Sequence, residues 1–232
     1  MMKRTHLKPA AFTLVEVLVA MAIFAAVLAA LLMFTQSTLR FSSQNRQNSN
    51  ILREVSEASD YMGSSIRRAS QIYSELSINS KVCTLSGSDL PCFAIIVPDS
   101  TNNNGQIDRY LALVYRIEER TVLPSRLKND DPWADEHTYI IREYRKILCE
   151  TGDSNYPCGD ERPNSISGAI PYFVLEGLSL DEDMKLTGTD LQVFVLEADG
   201  ITLNFRLASK QRNEIIYAPS QGALELEVKQ RN

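Results

Sequence analysis

Few residues in this chain are equipped for catalysis. Histidine occurs twice, at His6 and His137, which leaves little for a two-histidine metal site or a histidine-centred acid–base mechanism. The chain has no G-x-S-x-G, P-loop or dinucleotide fingerprint. Its four cysteines stand as two local pairs, Cys83 with Cys92 and Cys149 with Cys158, each enclosing eight residues of turn-forming character and ending in Pro91 or Pro157. Of the three connectivities open to four cysteines, such turn-rich spans favour the local disulfides Cys83–Cys92 and Cys149–Cys158. A four-cysteine zinc site is the rival, though its ligands usually come as C-x2-C or C-x4-C.

The stretch from Asp99 through Asn104 and Gly105 to Asp108 is rich in oxygen ligands. Aligning Gly105 with the glycine of an EF-hand puts Ser100 at the first ligand position and Leu111 where a bidentate acid is needed, so an EF-hand is rejected. A looser calcium site on Asp99, Asn104 and Asp108 is weighed against a polar loop joining two strands. The remaining unusual residue is Glu16. It is the one ionisable side chain between Ala10 and Phe34, and a carboxylate inside hydrocarbon costs several kcal/mol unless it is paired or functional.

The run around Glu16 is long enough, at about 1.5 Å per residue, to cross a bilayer core of roughly 30 Å as one helix. Lys3, Arg4 and Lys8 precede it, and Arg40 is the first charge after it. That asymmetry holds the tip in the cytoplasm and exports the rest, to a side oxidising enough for disulfides. An ordinary secretory signal has the same basic start but a shorter apolar core, about 7 to 15 residues, and does not account for Glu16.

The residues Ala11-Phe12-Thr13-Leu14-Val15-Glu16-Val17-Leu18-Val19-Ala20 resemble the processing and methylation motif of type IV prepilins and type II secretion pseudopilins. The resemblance implies a leader cut between Ala11 and Phe12 by a prepilin peptidase, methylation of the new amine, and Glu16 as an assembly residue. Ala11 stands where the family usually carries Gly. After such a cut the Phe12 amine and the Glu16 carboxylate are one helical turn apart, so the charges can pair within a subunit. In a filament the same carboxylate can meet a neighbour's amine and fix the register between helices.

Beyond the span, no proline occurs before Pro91 and Gly63 is the only glycine up to Ser86, which permits a much longer helix. A polar stretch from Gln44 to Asn50 is followed by a stripe of Leu52, Val55, Ser59, Met62, Ile66, Ala69 and Tyr73. Its spacing of three and four predicts the core-facing side of an exported domain. Past Cys83 the pattern turns to strands: Phe93 to Val97, Arg109 to Ile117, Thr138 to Tyr144, Tyr172 to Leu175, Leu191 to Leu196, Ile201 to Leu207 and Leu224 to Val228. Ala198-Asp199-Gly200 predicts a hairpin turn.

These elements predict an α+β fold, a long N-terminal helix packed on an antiparallel sheet, which the pilin resemblance also implies. The expected divisions are a leader at 1–11, a membrane-spanning, filament-core segment at 12–34 and an exported domain at 35–232. Within the family the larger minor pilins of the W type and the J-type pseudopilins are the most similar, through Asp99 to Asp108, Tyr110, Val114-Tyr115-Arg116 and Tyr139-Ile140-Ile141-Arg142. The resemblance implies a non-enzymatic subunit of the bacterial inner membrane, later of a pilus or pseudopilus. Its implied partners are other subunits, the prepilin peptidase and methylase, and an inner-membrane assembly platform.

A membrane-anchored binding or adhesion module is the alternative function, and an anchored hydrolase ranks below it because His137 has no nucleophile motif beside it. The chain carries 24 basic and 29 acidic residues, net −5. Losing the leader's three basic residues leaves a formal charge of −8, which argues against nucleic acid as a partner. Small basic patches at Arg67-Arg68 and at Arg142, Arg145 and Lys146 are the local exceptions.

Overall fold

A computed structural model of the chain describes residues 13–85, 90–101, 107–128, 132–150, 165–180, 192–211 and 214–231. The chain divides into two compact units, Met1–Ser49 and Asn50–Asn232. Helix α1 spans Leu14–Arg67, as a segment free of proline with a single glycine permits. In the first unit its large apolar side chains from Leu14 to Phe34 are exposed to solvent. An 18-residue window reaches a mean hydropathy of 2.9, long and apolar enough to cross a membrane.

In the second unit the buried part of α1 is Ile51, Val55, Ala58, Ser59, Met62, Gly63, Ser65 and Ile66. Val55, Ser59, Met62 and Ile66 face the core as expected, but Leu52 is 47% exposed and Ile51 is buried in its place. At about 100° per residue Ile51 lies about 40° from Val55 and Leu52 about 60° away on the other side, so the buried face is centred toward Ile51. The expected stripe also ran too far. The helix ends at Arg67 without a glycine or proline stop, because other parts of the unit take up its last polar groups. The Arg231 amide donates to the Arg67 carbonyl at 3.2 Å, and the Ser70 amide donates to Ile96 at 2.7 Å. Ala69 therefore follows the helix and Tyr73 lies in a strand.

Strands begin earlier than Cys83, with β1 (Gln71–Tyr73), β2 (Glu75–Ile78) and β3 (Lys81–Thr84). Next come β4 (Cys92–Thr101), β5 (Ile107–Glu119), the short helix α2 (Pro132–His137), β6 (Tyr139–Glu150), β7 (Ser165–Ile166) and β8 (Ile170–Leu178). The last are β9 (Phe194–Leu196), β10 (Gly200–Phe205), β11 (Leu207–Gln211), β12 (Glu214–Ala218) and β13 (Leu224–Lys229). Seven form one antiparallel sheet in the order β1-β4-β5-β6-β8-β11-β12, with smaller sheets β13-β10-β9 and β3-β2-β7. The fold is α+β, as expected.

The large sheet is covered on both faces along β4 and β5. Phe93, Ile95 and Val97 of β4 and Leu113, Tyr115 and Ile117 of β5 share a core with α1 and with Phe194, Leu203 and Phe205 of the β13-β10-β9 sheet. The alternate residues Cys92, Ala94, Ile96, Ala112 and Val114 share a second core with Leu76, Ile78 and Ile166 of the β3-β2-β7 sheet. A strand buried on both faces needs apolar residues at every position, which is why Phe93 to Val97 reads as an unbroken run.

The predicted hairpin is present, with Ile201 paired to Leu196 and the Glu197 amide donating to Gly200 at 3.0 Å. Gly200 is required there: a Cβ would stand 2.0 Å from the Val228 carbonyl oxygen of β13. The expected strand Ile201 to Leu207 is instead two strands in two sheets. The chain turns the corner at Arg206, whose carbonyl accepts from the Ser179 amide at 2.7 Å and whose guanidinium stacks over Tyr217 at 4.3 Å. At the other end of the hairpin, Gln192 and Val193 precede β9 without joining it, and Leu191 lies outside the described residues.

Candidate functional site

The first turn of α1 has a specific polar construction. The Glu16 carboxylate accepts from the Thr13 amide at 2.9 Å and from the Thr13 hydroxyl at 3.1 Å. In return the Glu16 amide donates to the Thr13 hydroxyl at 3.3 Å. This is a reciprocal capping box, which occupies amides that a helix start leaves without partners. The Thr-x-x-Glu spacing carries that signal, and a reading of Glu16 as an assembly charge alone passes over it. Ala11 and Phe12, the expected processing and methylation residues, lie outside the described residues.

Cys83 and Cys92 form a disulfide with Cα atoms 5.4 Å apart, joining β3 to β4 inside the second core. It takes two of the four thiolates that a four-cysteine zinc site needs. Cys158 and the Cys149 side chain lie outside the described residues, as do Asn104 and the Asp108 side chain of the calcium candidate. The third member, Asp99, is paired with Arg109 at 2.5 Å. Among the described residues no three His, Cys, Asp or Glu side chains are grouped to hold a metal. His137 stacks on Trp133, ring centres 5.2 Å apart, with Nδ1 2.9 Å from the Trp133 carbonyl oxygen.

The basic group read at Arg142, Arg145 and Lys146 is not one patch. Alternation along β6 sends Arg142 and Arg145 to opposite faces of the sheet, and each meets a buried carboxylate. On the helix face Glu143 is fully buried. The Tyr61 hydroxyl of α1 lies 2.9 and 2.8 Å from its two oxygens, the Arg145 Nε donates to it, and Arg145 also donates to the Tyr61 hydroxyl at 2.5 Å. On the other face Glu118 accepts from Tyr144 at 2.6 Å and from Arg142 at 3.1 Å.

Burial, and then the hydrogen bond to Glu143, push the Tyr61 hydroxyl above its ordinary range. Burial, and then Glu118, push Tyr144 up to about 12. Burial also works against the Arg145 cation, but Glu143 outweighs it and leaves Arg145 raised. A third buried charge, Arg120, donates to Glu176 of β8 and, at 2.5 Å, to Asp135 of α2. These groups are committed to one another, and what they do is hold elements in place.

Residues 8–32 match the family model of the prokaryotic N-terminal methylation motif. No curated protein and no solved structure matches the chain. The motif supports a type IV pilin-like protein, a class whose members are generally structural, not enzymatic, and assemble with other pilin subunits after meeting a prepilin peptidase. The apolar helix near the N-terminus fits membrane anchoring of such a protein.

Proposed function

We propose that the chain is a minor pilin or pseudopilin, cut between Ala11 and Phe12, methylated at the new Phe12 amine and assembled from the bacterial inner membrane into a pilus or pseudopilus. Other subunits, the prepilin peptidase and methylase, and an inner-membrane platform are its partners. The observation that carries this reading is the motif at residues 8–32 at the head of a helix whose later turns pack in an α+β domain. Glu16 caps the helix and also offers the carboxylate that a processed amine needs. The resemblance of the region from Asp99 to Arg142 favours an accessory subunit over a major one.

Mass spectrometry of the mature N-terminus tests the reading, with methylated Phe12 expected. A start at Ala30, after the small-residue signal-cleavage candidate Val27-x-Ala29, or an intact Met1 would overturn it. Glu16→Gln separates the two uses of the side chain, because glutamine also serves in a capping box but has no charge. The variant is expected to insert in the membrane and to be depleted from sheared filaments, and normal incorporation would sink the assembly role.

A further inference from the structure

We propose that the connection between β5 and β6 opens and closes on the sheet as a unit, with Arg120 as its clasp and Asp135 as the group through which acid releases it. The connection is described at residues 120–128 and 132–138, and the pairing of Glu119 with Tyr139 closes its base. Its backbone folds back on itself. The Leu123 amide donates to Arg120 at 3.1 Å, Leu127 to Pro124 at 2.8 Å, Lys128 to Ser125 at 3.3 Å and Thr138 to Ala134 at 3.0 Å. The Thr138 hydroxyl donates to the Ala134 carbonyl as well. Strands β5 and β6, by contrast, pair with each other along their length and with β4 and β8 outside.

Apolar burial ties the connection down weakly. Among its described residues Leu123 is the one buried apolar side chain, and it belongs to neither core; Val122 and Leu127 are 46% and 53% exposed. A segment with internal backbone bonds and little apolar burial opens at a lower free energy than the strands it joins. Arg120 is what fastens it. Its side chain is 1% exposed and donates to Glu176 of β8, on the sheet, and to Asp135 of α2, at the far end of the connection. Lys128 Nζ stands 3.2 Å from the same Asp135 carboxylate. A buried cation is costly unless its partners are in place, so the loss of one partner favours the open state.

The charged groups around the clasp fix the sign of its pH dependence. Arg120 and Lys128 come from the first part of the connection, Asp135, Glu136 and His137 from α2, Glu176 from β8 and Glu54 from α1, while β11, packed beside α2, carries Lys210. Burial works against the Asp135 charge, but Lys128 and Arg120 outweigh it and hold the carboxyl below its ordinary 3.8. Its contribution is therefore complete above that value and is lost as pH falls through the lower folded one. Glu54 moves the other way, raised by burial and then by Glu176. It takes up its proton first and leaves the clasp closed.

The test is amide hydrogen exchange of the full chain in mild detergent, read by mass spectrometry as protection factors so that the intrinsic pH dependence of exchange is removed. At neutral pH, peptides covering 120–128 and 132–138 are expected to be about a hundredfold less protected than those of β5 and β6. Asp135→Asn is expected to lower protection there about tenfold further and to leave β5 and β6 unchanged, a comparison that an unfolded variant does not pass. Taking the parent from about pH 5 to about pH 2.5 is expected to lower protection in the same peptides ahead of the strands, and to do so far less in Asp135→Asn. Equal protection of connection and strands in the parent, a parallel loss in both on Asp135→Asn, or an acid response that the substitution leaves unchanged would each overturn the proposal.

Discussion

Glu118 and Glu143 lie on opposite faces of the β5–β6 pair, and each is held by a tyrosine hydroxyl and an arginine. Taking a carboxylate out of water costs several kcal/mol, and the hydrogen bonds must offset that. For Tyr144 the consequence is a pH dependence with a definite sign. Its hydroxyl ionises at about 12 in the folded chain against 10.0 ordinarily. The stabilisation it reports is therefore complete below pH 10 and lost as pH rises toward 12. Denaturation midpoints are expected to fall across that window, and to fall less in Tyr144→Phe; equal slopes in the two proteins would remove Tyr144 as the cause. None of this was legible beforehand. Glu143 finds Tyr61 82 residues away, and in the sequence the arginines beside it resemble a basic patch. Glu16 was legible because an apolar run isolates it, whereas its use as a cap was open to reading in Thr13 and was missed.

Among the elements, the unbroken apolar run Phe93 to Val97 was read correctly, since that part of β4 is buried on both faces. The strands β1 to β3 were missed because each is only three or four residues long, too short for an alternation such as Glu75-Leu76-Ser77-Ile78 to stand out. The end of α1 and the corner at Arg206 were missed for another reason: they are set by hydrogen bonds from distant segments, Arg231 and Ser179. Cys83–Cys92 closes a short loop across two layers. On loop-closure entropy its loss is expected to cost about 2 to 3 kcal/mol, measured as the shift in urea midpoint of Cys83→Ala/Cys92→Ala. A shift below about 0.5 kcal/mol, within the range of ordinary surface substitutions, would show that packing alone holds the β3-β2-β7 sheet. Peptide mapping without reductant on the parent protein would also give the partner of Cys149.

At the scale of the whole molecule, every buried residue of α1 lies at or beyond Ile51. A piece beginning at Asn50 therefore retains its core and is expected to unfold cooperatively; non-cooperative melting would show that the earlier turns are needed. The same piece is expected not to bind duplex DNA at physiological salt. Beyond the acidic balance of the chain, the sheet separates Arg142 from Arg145 and pairs both with glutamates. A salt-dependent shift at low micromolar protein would refute this, and its loss on neutralising Arg67 and Arg68 would locate the site. The disulfide has one more effect, which concerns force. If the unit is pulled from its ends, the segment from Cys83 to Cys92, a separation of nine residues, cannot pay out. At about 3.3 to 3.6 Å per residue, roughly 30 Å of chain is withheld from extension. The covalent link also keeps β3 from peeling off β4, so the two layers must bear a load together.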